Sequence, residues 1–423
     1  MQTISLIREA WYKDQPYKIQ FPASWDVSVF GDQQIPELST EEIKARIQTP
    51  IGGRPLSEFN RPEARVTIII DDLTRPTPVR LPLQLVIAEL EKSGVSRDSI
   101  TMVVGGGSHL PMTADDLQIK LGGELLSNYR VIPHDCNSDL VELGRSSRGT
   151  PLAYNRRVVE SDICIGIGCI YPHPAAGYSG GSKIVSLGVA GAETISYMHD
   201  HLLGASHRGE LTNNEFRQEV EDIADQVGLD FSVNLVINQQ RRISGTFTGD
   251  RVKAHRAGVA FARKLFSVKP LNDADVVIAD MYPFDADLQF AHDRGFWPLL
   301  RARDGAYKVI LAACRDGVGS HRLYPVSKRI RYRYLERLTN LHWRDLRSPV
   351  KKLKKIRRLH KQKSLDYQMV SARINEEDLA TVFPNAELNQ SWDDVLDKLI
   401  DSRGTQPTQV AVYRCAPFLI PVR

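Results

Sequence analysis

The sequence contains no apolar run near the roughly 18 to 20 residues that a membrane helix needs. Its opening segment, MQTISLIREAWYKDQ, lacks the apolar stretch and small-residue cleavage site of a secretory signal. Both absences point to a protein that stays in the cytoplasm and off the membrane. Cysteine is sparse: the five residues Cys136, Cys164, Cys169, Cys314 and Cys415 stand singly, with no CxxC pair. That pattern excludes a zinc knuckle and fits reduced thiols better than a disulfide framework. Two phosphate-binding signatures are missing as well, the GxxxxGK[ST] loop and the GxGxxG turn after the first strand-like run. The second absence counts against a nicotinamide-dependent dehydrogenase, which otherwise remains a rival reading.

What is present is ordinary globular composition, 42% hydrophobic and 25% charged. At 423 residues the chain is long for one core, so two domains are expected. The net charge of +4 conceals a basic block: residues 322–363 hold about 16 Lys or Arg against two acids, leaving the remainder net acidic. Leu335, Leu338 and Leu341, then Leu353, Ile356 and Leu359, recur at helical spacing in that block. Two helices with solvated basic faces, split near Pro349, are the economical reading. Nucleic-acid binding through the same residues is the alternative, and it rests on that segment alone.

Short β-branched runs alternate with helical patterns, which predicts an α/β fold. RVTIIIDD (65–72), ITMVVGGG (100–107), YRVIPHD (129–135) and ICIGIGC (163–169) read as strands, and PVRLPLQLVIAELEKSG as the crossover helix between the first two. NNEFRQEVEDIADQVG and RVKAHRAGVAFARKLFSV read as helices flanking the strand DFSVNLVIN. After the turn-rich PLNDAD a second series opens, with DVVIADMYP, YKVILAAC, YQMVSAR and TQVAVYRC as strands and two helices among them. The expected organisation is two α/β domains, 1–270 and 271–405, with a cofactor and substrate cleft between them. A last segment, 406–423, is expected to return to the first domain.

Ligands in open α/β sheets sit beyond the carboxyl ends of the strands, so the residues that follow each strand matter most. The first strand is followed by DDLTRPTP, the second by GGGSHLPMT and the fourth by YPHPAAGYSGGSK. Asp72 and Arg75, three apart in a proline-stiffened turn, suit a polar ligand or form a structural salt bridge. His109 follows three glycines, and His173 lies between two prolines. Either histidine alone reads equally as a hydrogen-bonded structural residue, while two at neighbouring strand ends suit proton transfer near neutral pH. The Gly180-Gly181-Ser182-Lys183 loop offers backbone N–H groups and an amine for a phosphate or a covalently held carbonyl-type group. His199, on a helix predicted over 193–201, is a candidate metal ligand, with His201 facing elsewhere. A hydrolytic metalloenzyme would need a carboxylate-rich ligand set that these motifs lack.

Taken in order, DDLTRPTP, GGGSHLPMT, YPHPAAGYSGGSK and GAETISYMHDH resemble the signature segments of the nickel-pincer-nucleotide-dependent lactate racemase family. The likeness is strong over residues 60–205 and continues more weakly through PFDADLQFAHD. It implies an isomerase, a racemase or epimerase of 2-hydroxy acids. It implies a nickel pincer nucleotide held through Lys183, delivered by cofactor-building enzymes, with His199 as a nickel ligand. Asp72, Thr74, Arg75, Tyr178, Gly180, Gly181 and Ser182 would line the cofactor site, and His109 and His173 would be the acid/base pair. Arg75, Gln289 and His292 would contact the substrate. At His292 the chain departs from the family pattern, where lysine follows the glutamine by three. An imidazole neutralises a small carboxylate less firmly than an ammonium, so a 2-hydroxy acid other than lactate, larger or a sugar acid, is expected.

Overall fold

The computed structural model of the chain describes residues 1–59, 61–202, 208–319, 367–383 and 385–422. The expected helices of the basic block, 322–363, lie outside the described residues. The chain forms two compact units, Gln33–Phe266 and a second built from Met1–Asp32 with Ser267–Arg423.

The Gln33–Phe266 unit is organised on a six-stranded sheet. Its order is Ile243–Gly249, Phe231–Ile237, Ile163–Cys169, Val66–Asp71, Ile100–Gly105 and Arg130–Pro133. All neighbours run parallel except the first pair. Every residue of Val66–Asp71 and Ile163–Cys169 is buried, as a continuous apolar run demands when helices cover both faces. Ile68, Ile70, Met102, Ile165 and Val233 share one core with Leu83, Val86 and Leu90 of the Arg80–Lys92 helix. Each such side chain contributes on the order of 1.5–3 kcal/mol when fully buried. From Val66–Asp71 the chain first adds strands on one side, through 100–105 to 130–133, and then returns to the other side at 163–169. The strand order therefore reverses beside Val66–Asp71, and that switch point is where an open α/β sheet leaves a crevice.

The second unit carries its own parallel sheet, in the order Ala386–Asn389, Tyr367–Val370, Tyr307–Leu311, Val276–Asp280, Gln409–Tyr413 and Asp26–Phe30. Successive residues of one strand serve two cores. Val277 and Ala279 face one, while Val276 and Ile278 face the other with Trp392 and Leu399.

Two boundaries differ from the sequence expectation. Residues 1–32 belong with the C-terminal unit, because Asp26–Phe30 pairs in register with Gln409–Tyr413 as its edge strand. The final segment also stays with that unit, since Ile420–Pro421 pairs with Ser267–Val268, where the chain re-enters it.

Candidate active site

The carboxyl end of Val66–Asp71 supplies the most densely bonded groups of the first unit. Asp72 is buried, and its carboxylate lies 2.6 Å from His109 Nδ1 and accepts the Thr74 hydroxyl at 2.6 Å. Burial opposes this charge, yet the His109 contact, with help from Arg75 and Thr74, holds the Asp72 carboxyl well below the ordinary carboxylate range. His109 shows the reverse balance. Burial pushes its pKa down, Asp72 resists, and the positive charges of Arg75 and Lys183 add to the depression. The imidazole is thus neutral near pH 7, with an ionised carboxylate behind it. Lys183 is close enough to act electrostatically on the same ring, although 74 positions separate them in sequence.

The turn that holds Asp72 has a buried support that the sequence reading missed. Lys120, 1% exposed, reaches from the Ala114–Leu121 helix to Asp71 Oδ1 at 2.8 Å and to the carbonyls of Asp72 and Arg75 at 2.9 and 3.3 Å. Thr77 donates to the other Asp71 oxygen. In sequence, DDLQIKLGG reads as an amphipathic surface helix, and nothing local marks its lysine as buried.

His173 and Tyr178 lie on a short hairpin, Pro172–His173 paired with Gly177–Tyr178. His173 is buried, and its Nδ1 accepts from the N–H groups of Ala175 and Ala176, both at 3.1 Å. Three other elements hold this hairpin and the loop after it. Arg217 donates to the carbonyls of Ala176 and Tyr178, and Asn214 donates to Ala175 O at 3.0 Å. Asn234 accepts from Gly181 N at 2.7 Å, and His255 Nε2 donates to Ser179 O at 2.8 Å. Gly181 has φ +58°, and an added Cβ would lie 2.8 Å from His255 Cγ, so only glycine lets the loop rest on that ring. Ser182 Oγ is buried with no hydrogen-bond partner among the described residues. Lys183 opens the short helix that follows. Asn214, Arg217, Asn234 and His255 were invisible to motif reading, because each looks like an ordinary polar position in a helix or strand.

His199 is half-buried on the Ala192–His201 helix, and its Nδ1 lies 2.7 Å from Ile195 O. A carbonyl only accepts, so Nδ1 carries the hydrogen and Nε2 keeps the lone pair, the arrangement common to metal-ligating histidines. His201 is exposed and stacks on Tyr197. Among the described residues no group of three or more His, Cys, Asp or Glu side chains is placed to hold a metal ion. All five cysteines are buried and unpaired by disulfides, as the sequence predicts.

Gln289 and His292 lie in the other unit, on the Leu288–Gly295 helix capped by Asp287. Gln289 is 5% exposed, and neither Oε1 nor Nε2 has a hydrogen-bond partner among the described residues. A buried amide left unpaired costs about 1–3 kcal/mol, a cost that a polar ligand removes. His292 Nδ1 lies 3.1 Å from Asp293 Oδ1, and the ring packs on Phe383. In the same unit Asp280, fully buried at a strand end, accepts from Cys415 N and Tyr282 N, and burial pushes its pKa up to about 7.

No described helix is long and apolar enough to cross a membrane.

Residues 12–210 match the lactate racemase N-terminal domain. The lactate racemase of Thermoanaerobacterium thermosaccharolyticum is 31% identical over 295 residues, covering 68% of this chain and 69% of that protein. The lactate racemase of Lactiplantibacillus plantarum is 30% identical over 292 residues, covering 67% and 68%. The structure of the Thermoanaerobacterium lactate racemase apoprotein superposes over 100% of both chains with a TM-score of 0.76 at 23% identity. A Thermotoga maritima protein shares the fold at a TM-score of 0.64 and 15% identity, over 89% of this chain and 96% of its own. With two relatives at 30% identity or more across two thirds of their length, the chain belongs to the lactate racemase family, a family of isomerases.

Proposed function

We propose that this protein is a racemase or epimerase that inverts C2 of a 2-hydroxy acid, with His109 and His173 as its acid/base groups. The observation that supports this reading best is the buried Asp72–His109 pair, 2.6 Å apart, with the Lys183 charge acting on the same imidazole. A neutral imidazole backed by an ionised carboxylate takes a proton from a hydroxyl and holds it as a stabilised imidazolium.

The residues present fit a nickel pincer nucleotide. A nickel held mainly by the bound group itself would need only one or two donors from the protein. His199 Nε2 is such a donor, and imidazole with soft sulfur suits nickel. Lys183 would hold the group covalently. Asp72, Thr74, Arg75, Tyr178, Gly180, Gly181 and Ser182 would surround it, the orphaned Ser182 hydroxyl gaining a partner. When bound, such a group would supply a reversible acceptor for the C2 hydride. The chain's own part is to orient the acid, exclude water and move the hydroxyl proton. Arg75, Gln289 and His292 are proposed for the substrate, and the Gln33–Phe266 unit for the cofactor. The cofactor-building enzymes and a cytoplasmic setting belong to the same reading.

The substrate is proposed to be other than lactate. His292 stands where the family pattern has lysine, and its ring faces Asp293, an anion that opposes capture of a small carboxylate. The test is to co-express the chain with the cofactor-building enzymes and supply single enantiomers of a panel of 2-hydroxy acids, resolving products on a chiral column. Inversion of at least one acid, lost in His109→Gln, supports the reading. Net turnover of free NAD without inversion would replace it with the dehydrogenase reading.

A further inference from the structure

Two acid/base histidines are interchangeable only if both present the same form of the ring to the substrate. Here the partners of each Nδ1 dictate opposite forms. His109 Nδ1 faces the Asp72 carboxylate at 2.6 Å. An ionised carboxylate has no hydrogen to give, so Nδ1 carries it and Nε2 keeps a lone pair. His173 Nδ1 receives two backbone N–H groups, from Ala175 and Ala176, each at 3.1 Å. A backbone N–H can only donate, so this Nδ1 keeps its lone pair and Nε2 carries the hydrogen.

We propose that the two histidines are inequivalent in the resting protein: His109 is the proton acceptor, and His173 is a neutral Nε2–H donor held in that form by the Ala175 and Ala176 N–H groups. This rests on the racemase reading above and specifies how its two histidines divide the task. The enantiomer whose hydroxyl meets His109 is handled directly. The O–H bond breaks, an N–H bond forms at His109 Nε2, and Asp72 balances the charge. His173 meanwhile donates a hydrogen bond to the substrate oxygen without losing its proton. To give a proton away and end neutral, His173 must first be a cation, which means a second hydrogen on Nδ1. Two N–H groups already point at that atom, so they must withdraw before the opposite enantiomer is formed or consumed. The Pro174-Ala175-Ala176 turn is therefore a positioning element that sets the state of the second base.

The structure around the turn fits such a role, because Arg217 and Asn214 fix it by its carbonyls and leave its N–H groups to the ring.

The experiment uses full-length unloaded protein labelled with 15N at histidine, with His109→Gln and His173→Gln to assign the two rings. Long-range 1H–15N correlation spectra distinguish the tautomers directly. Above the ordinary imidazole pKa, His109 should show its hydrogen on Nδ1 and His173 on Nε2. Ala175→Pro deletes one N–H donor and should move His173 toward the Nδ1–H form, whereas Ala175→Gly keeps the donor and should leave it unchanged. If Ala175→Pro does not fold, the wild-type spectrum still decides. A hydrogen on Nδ1 of His173, or the same tautomer on both rings, overturns the inference. Racemisation by the loaded protein is scored separately: wild type that inverts a hydroxy acid with like tautomers removes this inference alone, and wild type that inverts none removes the reading beneath it.

Discussion

Replacing Lys120 with methionine tests whether the turn that holds Asp72 depends on a lysine outside every motif read from the sequence. The substitution keeps the unbranched chain and deletes the ammonium. Asp71 would then be buried without its cation, and the carbonyls of Asp72 and Arg75 would each lose a donor. Removing one partner of a buried pair typically costs about 3–5 kcal/mol, since the remaining charge is stranded away from water. Lys120 is 1% exposed and Asp71 6%, so little solvent screening reduces that figure. For a unit of this size, 1 kcal/mol corresponds to roughly 2–4 °C, which places the melting temperature of Lys120→Met about 6–20 °C below wild type. Thermal melts followed by circular dichroism measure it. The double variant Asp71→Asn/Lys120→Met should lose less than the sum of the single changes, because neither leaves a charge behind. A single variant melting within about 2 °C of wild type would refute the reasoning, as the pair would then hold nothing in place.

Two further predictions concern the C-terminal unit. His292→Lys restores the family pattern beside Gln289, and should raise kcat/KM for lactate by at least about tenfold, equivalent to about 1.4 kcal/mol in the transition state. Chiral chromatography on the loaded protein checks it, and an unchanged value would remove His292 from substrate discrimination. For Asp280 the folded pKa, about 7, lies above the ordinary aspartate value of about 3.9. Between those two values the folded chain keeps a proton that the unfolded chain has released. The stabilising contribution is therefore present below about 3.9, declines as pH rises, and is gone above about 7, a change of at most about 4 kcal/mol. Asp280→Asn removes this dependence, so the melting temperature of wild type relative to the variant should fall as pH rises from about 5 to about 8. A difference independent of pH would show that Asp280 is ionised throughout.

The strands were legible because their signal is local. VTIII and ICIGI are apolar without interruption, and a strand buried on both faces leaves that mark. The same logic exposed the strand-end clusters that hold Asp72, His109 and His173, because polar and glycine-rich residues after an apolar run break the composition of the chain. The placement of residues 1–32 was not legible. Asp26–Phe30 joins Gln409–Tyr413 across almost the whole sequence, and no spacing rule links a short edge strand to a partner so distant. The supporting residues failed for a related reason. Lys120, Arg217 and His255 lie on helices, and Asn214 caps one, where a polar residue is ordinary, and only the folded chain shows that each is buried against a loop backbone. Gln289 was singled out through the family resemblance, and its unpaired buried amide is an independent mark that only the structure supplies.

The central claim is that Lys183 anchors a nickel-bearing nucleotide beside the His109 imidazole. Intact-protein mass spectrometry with nickel analysis tests it on wild type and Lys183→Ala, each co-expressed with the cofactor-building enzymes. The account predicts one nickel and a nucleotide-sized adduct on wild type, with the adduct absent from Lys183→Ala. Wild type that gains neither, while another lactate racemase loads in parallel, would contradict it.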